Sequence, residues 1–308
     1  MLSRRPVAAH EGPASPLSQR RGRGLLFDAL GRLKGDKVVL LAMGVLMLVA
    51  GLSLAAPWIS EAFFHTGAAT VDLESNFHAP SLENRAWWLG TDELGRSHLV
   101  RLLHGGGVSL AFASIVTLAN LTLGSLLGLL AGYYRGRVDD LINWLITTLV
   151  SIPTIFLLLV ISAFFKPSPL ALALIFALVS WMGIARIMRG QVFALRERDF
   201  VLAARALGVG DRGIILNHIL RNVVPIMIIV TGIDVGGVIL AESALSYLGL
   251  GIQPPTPSWG NMLTNAQSYF FRAPWLVVGP GVMITATVLC LYIMGDGLRD
   301  ALDPRLKE

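Results

Sequence analysis

Six long stretches of the chain consist mostly of apolar residues, and polar residues are concentrated between them. A helix of about 20 apolar residues crosses a hydrocarbon layer about 30 Å thick. The pattern therefore predicts an all-α fold, a polytopic membrane protein with six transmembrane helices. The predicted helices cover approximately residues 38–58, 108–132, 141–165, 170–188, 223–245 and 275–294.

Composition excludes an ordinary soluble protein. Of the 308 residues, 54% are hydrophobic and 15% are charged, whereas charged residues make up about 25% of a typical soluble domain. The first apolar stretch follows an arginine-rich tail, as the core of a signal peptide would, but it is too long for such a core. We therefore expect it to be a retained membrane anchor.

The distribution of positive charge predicts how the chain is oriented. A net charge of +5 would also suit a nucleic-acid-binding protein. If both termini are cytosolic, however, 20 of the 25 Lys and Arg residues fall in the cytosolic segments, which are 1–37, 133–140, 185–222 and 296–308. Cytosolic loops of membrane proteins carry such an excess. The charge therefore predicts cytosolic N- and C-termini in a lipid bilayer, and no nucleic-acid partner is needed to explain it.

These assignments divide the chain into five parts. We expect a cytosolic, disordered tail at 1–36, a first transmembrane helix at 37–58 and an outer loop at 59–106. A domain of five transmembrane helices follows at 107–297 and contains a cytosolic loop at 191–222. A cytosolic tail at 298–308 completes the chain. Loops as long as the two predicted here usually carry function.

The cytosolic loop predicts a short helix with a smooth surface. Asp199 is expected to cap a helix at 200–207, and Gly208 to end it in a left-handed conformation. A second helix is expected to start at Asp211. Three small side chains cover the short helix, those of Ala203, Ala204 and Ala206. Such a helix suits a groove on another protein, although an amphipathic helix that touches only lipid is an equal alternative.

Two carboxylates fall inside the fifth apolar stretch. Asp234 and Glu242 would each be costly in lipid unless protonated or paired, so both are candidates to line a substrate path. Eight residues separate them, which places them about 80° apart around a helix. Both could therefore face one wide cavity. The alternative for Glu242 is a structural role near the outer end of its helix.

Three further patterns predict local structure. Gly124, Gly128 and Gly132 form a ridge that lets another helix approach closely. Pro153 is expected to bend the third transmembrane helix. The prolines of PPTPSWG at 254–260 exclude a helix there. We expect Trp259 in this segment to pack on the mouth of the bundle, with contact to a docked protein partner as the alternative.

The sequence contains no recognisable catalytic, cofactor or metal motif. The hydrolase motifs H-E-x-x-H and G-x-S-x-G are absent, the six histidines are scattered, and Cys290 is the single cysteine. The G-x-G-x-x-G at 208–213 follows a predicted helix instead of a strand, which excludes a dinucleotide site. The ATP-binding pattern G-x-x-x-x-G-K-[ST] is also absent. We therefore predict no catalytic residue, bound cofactor or metal on this chain.

The cytosolic loop resembles the EAA loop of ABC importer permeases, whose pattern begins with E-A-A, three residues and Gly. Ala203, Ala204 and Gly208 match this pattern, whereas Leu202 replaces the Glu and Arg221 replaces a later Pro. The resemblance implies that the loop couples the chain to an ATPase. The implied coupling residues are Leu202, Ala203, Ala204, Arg205, Gly208 and Asp211.

Further segments resemble the dipeptide, oligopeptide and nickel branch of these importers. They include WLGTDELGRS at 88–97 and ALSYLGLGIQPPTPSWGNML at 244–263, although Ser97 and the glycines at 105–107 depart from the family pattern. The resemblance implies a type I ABC importer permease fold. It also implies a location in the plasma (inner) membrane of a bacterium or archaeon.

The resemblance implies partners and cargo as well. The partners would be a second homologous permease subunit, two cytosolic ATPase subunits that bind ATP and Mg²⁺, and an extracytoplasmic substrate-binding protein. The cargo is expected to be a dipeptide, an oligopeptide or a related solute such as a nickel chelate, while glutathione and sugars remain open. The alternative is a membrane-embedded enzyme that acts on lipid or peptide through Asp234 or Glu242.

Overall fold

The computed structural model describes residues 31, 33–264 and 266–302, and within them the chain is helical without a β-strand. Most of the predicted tail at 1–36 and residues 303–308 of the second tail lie outside these ranges. Helices of eight residues or more are α1 Lys37–Leu54, α2 His98–Tyr134, α3 Gly136–Val150, α4 Thr154–Phe165, α5 Pro169–Ser180, α6 Met182–Leu195, α7 Asp199–Ala206, α8 Leu220–Tyr247 and α9 Trp275–Leu302.

Four continuous helical rods are long and apolar enough to cross a membrane. They are α1, α2, α9 and the rod Asp211–Tyr247, in which a π-helical stretch precedes α8. The remaining apolar helices form two bent pairs, α3 with α4 and α5 with α6. The all-α membrane architecture is therefore confirmed. The chain crosses six times if each bent pair is one span, so the count of six remains a prediction.

Pro153 breaks the third predicted span, as expected. The two helices on either side of it, α3 and α4, meet at 70°, and the backbone of Pro153 itself is not helical, with φ of −57° and ψ of 119°. A proline has no N–H for the helix and disfavours helical geometry in the residue before it. The sequence stretch 141–165 is thus two helices.

The 41° bend between α5 and α6 was not predicted. Ser180, the last residue of α5, donates its hydroxyl to the carbonyl of Phe176 one turn earlier, 2.6 Å away. A serine that bonds back to its own helix in this way often bends it.

Helix α2 is the centre of the bundle, and it packs most extensively on α6. The predicted glycine ridge forms this contact. A Cβ atom on Gly124, Gly128 or Gly132 would lie 2.6–2.8 Å from the backbone carbonyl oxygens of α6 or its preceding residue. Since backbone atoms cannot move aside as a side chain can, only glycine permits this approach. The packing role predicted for the ridge is therefore confirmed.

Two apolar clusters lie at the two ends of α2. The first lies towards the N-terminus of α2 and includes Phe112, Leu158, Ile239 and Trp259, so we call this end of the bundle the Trp259 end. The second lies at the C-terminus of α2, and because it includes Val201 of α7 we call it the α7 end. Many large apolar side chains of α3, α4 and α5 are exposed on the outside of the bundle, as helices that face lipid require.

Candidate functional site

The short helix predicted in the cytosolic loop is present as α7. The helix starts one residue earlier than expected, at Asp199. The side chain of Asp199 makes no capping bond. The prediction that Asp199 is the cap is therefore wrong. Gly208 has φ of +81° and ends the helix as predicted, and the chain becomes helical again at Asp211.

Helix α7 has one face turned to its own chain and one face turned outward. Val201 is fully buried against the α7-end cluster, and Ala204 is only 6% exposed. The other predicted coupling residues are exposed: Leu202, Ala203, Arg205, Gly208 and Asp211. Ala204 must therefore be removed from the predicted contact set, since its Cβ points into the bundle and packs under the helix.

The exposed face of α7 combines apolar and cationic groups. Phe200 and Leu202 are exposed, and Leu207 is 84% exposed. Arg205 lies between Leu202 and Leu207 in the sequence. A hydrogen bond from its guanidinium to the hydroxyl of Tyr133 raises the pKa of Arg205, so the arginine stays cationic. Together Phe200, Leu202, Ala203, Arg205 and Leu207 form a surface that we call the α7 face. A surface that is apolar at its centre and charged at its edge suits a protein partner.

Tyr133, at the end of α2, makes hydrogen bonds that hold the α7 end together. Its hydroxyl donates to Oδ1 of Asp211, 2.6 Å away, and accepts from Nη2 of Arg205 at 3.5 Å. Its backbone carbonyl accepts from the guanidinium of Arg196. The sequence analysis missed Tyr133, because nothing in the sequence places the end of α2 beneath residues about 70 positions later.

Two ion pairs also join α2 and α3 to α6 at this end. Nη2 of Arg189 lies 2.7 Å from Oδ2 of Asp139 in a bidentate pair. Nη2 of Arg135 lies 2.8 Å from Oε1 of Glu197, and its guanidinium stacks on the ring of Phe193. Both pairs are partly exposed, so each contributes little stability by itself.

Asp234 lies at a polar contact between three helices in the middle of the bundle. Its Oδ2 accepts from Nδ2 of Asn120 at 3.0 Å, and Oδ1 of Asn120 accepts from the hydroxyl of Ser180 at 2.9 Å. Asn120 is fully buried, whereas Asp234 is half-buried. A carboxylate in a membrane span avoids lipid. We therefore expect the exposed side of Asp234 to face a water-filled cavity or another protein chain.

Glu242 has a different environment on the same helix. It is 1% exposed, and its Oε1 accepts from the hydroxyls of Ser246 at 2.6 Å and Ser258 at 3.1 Å. Ser258 belongs to the loop before α9, so Glu242 holds that loop on the end of α8. Asp234 and Glu242 share no hydrogen-bond partner among the described residues, and the geometry of Glu242 is that of the structural alternative.

Trp259 is fully buried in the bundle. Its indole N–H donates to the carbonyl of Leu102 at 3.0 Å, and its backbone N–H donates to the hydroxyl of Ser109 at 3.1 Å. A Cβ on Gly106 would lie 2.8 Å from the indole ring. Gly105 and Gly106 therefore make the seat for this tryptophan, and of the two alternatives for Trp259 the structure shows packing.

A buried charge cluster lies beside this seat. Oδ2 of Asp92 lies 2.7 Å from Nε of Arg96 and 3.3 Å from Nε of Arg101. The cluster borders a cavity of about 140 Å³ that Tyr269 also lines. Burial raises the pKa of Tyr269, and the carboxylates of Glu93 and Asp92 raise it further, so its phenol is neutral at physiological pH. Within the described part of the chain, no three His, Cys, Asp or Glu side chains are grouped to hold a metal ion.

Comparisons with known proteins place this sequence in a family. Residues 124–308 match the family described as binding-protein-dependent transport system inner membrane component. The chain is 35% identical to the oligopeptide transport system permease protein OppC of Haemophilus influenzae, over 93% of this chain and 91% of that protein. It is 36% identical to the di/tripeptide transport system permease protein DppC of Pseudomonas aeruginosa, over 98% and 99% of the two chains. It is 36% identical to the glutathione transport system permease protein GsiD of Pectobacterium atrosepticum, over 81% and 84%.

Proposed function

The chain belongs to the family of binding-protein-dependent transport system inner membrane components, and we propose that it is the peptide-conducting permease subunit of an ATP-driven importer. It is a permease subunit for peptide transport, not an enzyme, because its relatives are transport permeases. The alternative of a membrane-embedded enzyme acting through Asp234 or Glu242 has no support among these relatives. The multi-pass membrane location follows from the apolar helices and from the same relatives.

The proposal that transport is ATP-driven rests on the α7 face. This chain has no ATP-binding motif, so the energy must enter through a partner. The α7 face is an exposed surface with apolar and cationic residues on a helix whose other side is packed on the bundle. Two cytosolic ATPase subunits, which bind ATP and Mg²⁺, dock one on this face and one on a second, homologous permease subunit.

The transport path in this proposal runs along Asp234. Asn120 donates to one carboxylate oxygen of Asp234 and is itself held by Ser180. Asp234 is half-buried, so part of its carboxylate can meet solvent or cargo. A closing motion of the ATPases pushes α7 and changes the path from one open side to the other. Glu242 takes part indirectly, since it ties the loop with Ser258 to the rod that carries Asp234.

Peptides are the proposed cargo. The names of the relatives cover oligopeptides, dipeptides, di- and tripeptides, and glutathione, which is itself a peptide. These names favour a short peptide over the nickel chelate and the sugar. An extracytoplasmic binding protein delivers the peptide to the Trp259 end.

The proposed location is the plasma (inner) membrane of a bacterium or archaeon, with both termini in the cytosol. The Lys and Arg residues of 185–222 then lie on the cytosolic side together with α7. This orientation puts the α7 face where cytosolic ATPases can reach it, and the Trp259 end where a binding protein can dock.

Reconstitution tests the proposal. The chain is co-expressed with candidate partner permease and ATPase subunits from the same organism, purified through a tag on this chain, and placed in liposomes with the binding protein outside. We expect the ATPases to co-purify and labelled di- or oligopeptides to accumulate only with ATP. A chain that purifies without ATPases and gives no ATP-dependent uptake would refute the proposal.

A further inference from the structure

Helix α7 connects two bodies of the bundle. One body is the pair α2 and α6, locked by the glycine ridge at Gly124, Gly128 and Gly132. The other is the rod Asp211–Tyr247, which starts three residues after Gly208 and carries Asp234. Helix α7 is covalently joined to both bodies, to α6 on one side and to the rod on the other.

Apolar packing alone does little to fix the position of α7 along its own axis. Val201 and Ala204 are its buried residues, and both have small side chains. Contacts between such side chains are non-directional, so a helix pushed along its axis could slide over them. A link that transmits displacement needs groups with fixed geometry, and hydrogen bonds to charged groups are the strong directional contacts in proteins.

Tyr133 makes such contacts between three elements, which are α2, α7 and the rod. It is the next-to-last residue of α2, and its ring is buried in the α7-end cluster among residues of α6, α7 and the rod. From this position its hydroxyl donates to Asp211 at the start of the rod, 2.6 Å away, and accepts from Arg205 of α7 at 3.5 Å. One oxygen atom therefore contacts α7 and the rod while its own backbone belongs to α2.

We propose that Tyr133 is a positioning residue, the joint through which a displacement of α7 moves the rod and the α2–α6 pair together. This inference rests on the proposed function, because it needs an ATPase that moves α7. Tyr133 acts through Asp211 and Arg205, the two residues that its hydroxyl contacts. Its hydroxyl keeps Asp211 and Arg205 in register with the end of α2. A displacement of α7 driven by ATP hydrolysis therefore moves all the helices that border the transport path.

The test removes one oxygen atom. Tyr133→Phe keeps the buried ring and deletes the hydroxyl, and Tyr134→Phe is the matched control, since the neighbouring ring is exposed and contacts Tyr133 edge-on. Both variants are measured in the complete transporter in liposomes, with the wild type. We expect Tyr133→Phe to keep its ATPases and hydrolyse ATP, while peptide uptake per ATP falls about tenfold, the change expected when a hydrogen bond to a charged group is lost. Tyr134→Phe should match the wild type.

Asp211 tests the same bond from its other side. Asp211→Ala should lower uptake per ATP as Tyr133→Phe does, and the double variant should be no worse than either single one. Asp211→Asn keeps an oxygen acceptor at this position and should restore most of the coupling. A role in folding alone would not produce this rescue or move the ratio of uptake to hydrolysis.

The possible outcomes separate the inference from the function it rests on. If the wild type gives no ATP-dependent uptake, the proposed function fails. If the wild type transports and Tyr133→Phe has a normal ratio, the inference alone fails. If Tyr133→Phe does not assemble, Asp211→Ala decides, and a normal ratio in that variant overturns the inference.

Discussion

The indole N–H of Trp259 donates to the backbone carbonyl of Leu102, 3.0 Å away, and this bond fastens the loop before α9 to the first turns of α2. The neighbouring residue, Ser258, binds Glu242 of α8. Two adjacent loop residues thus join two helices of the bundle core. The loop is a structural part of the Trp259 end and is bonded to both α2 and α8.

Trp259 should therefore contribute strongly to stability. We expect Trp259→Ala to lower the free energy of unfolding by about 3–5 kcal/mol, the usual cost of removing a large buried aromatic side chain. Trp259→Phe loses the indole donor but keeps much of the packing, so its loss should be smaller. Thermal unfolding of the purified protein in detergent measures both. Equal melting temperatures for the wild type and Trp259→Ala would contradict the buried position.

The glycine ridge gives a second prediction about stability. Gly128→Ala would place a Cβ 2.6 Å from the carbonyl oxygen of Ala185, and overpacking against backbone should cost about 1–3 kcal/mol. The matched control is Gly237→Ala in α8, where a Cβ meets nothing within 4 Å. Alanine is the better helix former there and should be neutral or stabilising by up to about 1 kcal/mol. A similar loss in both variants would argue against a tight contact between α2 and α6.

Local features of the sequence were predicted well, because a few residues decide them. Gly208 ends α7, Pro153 breaks the third span, and the ridge of Gly124, Gly128 and Gly132 packs as expected. Each depends on the backbone chemistry of the residue itself. The apolar stretches likewise predicted the all-α membrane fold, because their length and composition reflect the bilayer.

Features that depend on distant parts of the chain were not predicted. The Asn120 partner of Asp234 lies 114 residues away, and the Tyr133 partner of Asp211 lies 78 residues away. Ala204 was assigned to the contact face because the pattern of small residues does not say which side of a short helix is buried. That choice is made by Ile214, Ile219 and the rest of the α7-end cluster, which come together only in the fold.

The six-span orientation gives a topological prediction. A reporter that is active only outside the cytosol should be active when fused after Ser75 or Thr264, which lie in the predicted outer segments. Fused after Asp211, it should be silent, and fusion after Lys307, which lies beyond the described residues, should give the same result. The opposite result at any one site would require a different number of spans or a bent pair that does not cross.

The two sides of α7 should respond differently to the same substitution. Ala203 is on the α7 face, so Ala203→Arg should leave the unfolding temperature unchanged and reduce co-purifying ATPase about tenfold or more, as blocking the centre of an interface does. Ala204 is 6% exposed, so Ala204→Arg should destabilise the chain itself. Pull-down and thermal unfolding of both variants measure this. Unimpaired ATPase binding by Ala203→Arg would exclude the α7 face as the docking surface.

The partly exposed carboxylate of Asp234 gives a prediction about transport. Asp234→Asn removes the negative charge, and the amide that replaces it can still bond to Asn120, so the fold and the ATPase contact should be kept. If cargo or water binds the carboxylate during transport, peptide uptake should fall about tenfold or more, as for a lost hydrogen bond to a charged group.

The matched control for this charge is Asp296→Asn, which neutralises an exposed carboxylate of α9 and should leave uptake unchanged. Asn120→Leu, which removes the partner that holds Asp234, should lower uptake in the same direction as Asp234→Asn. Initial uptake rates in liposomes, normalised to assembled transporter, measure all three variants. Normal uptake by Asp234→Asn would show that this carboxylate is not in the path, since a charge that cargo passes closely cannot be removed without changing the rate.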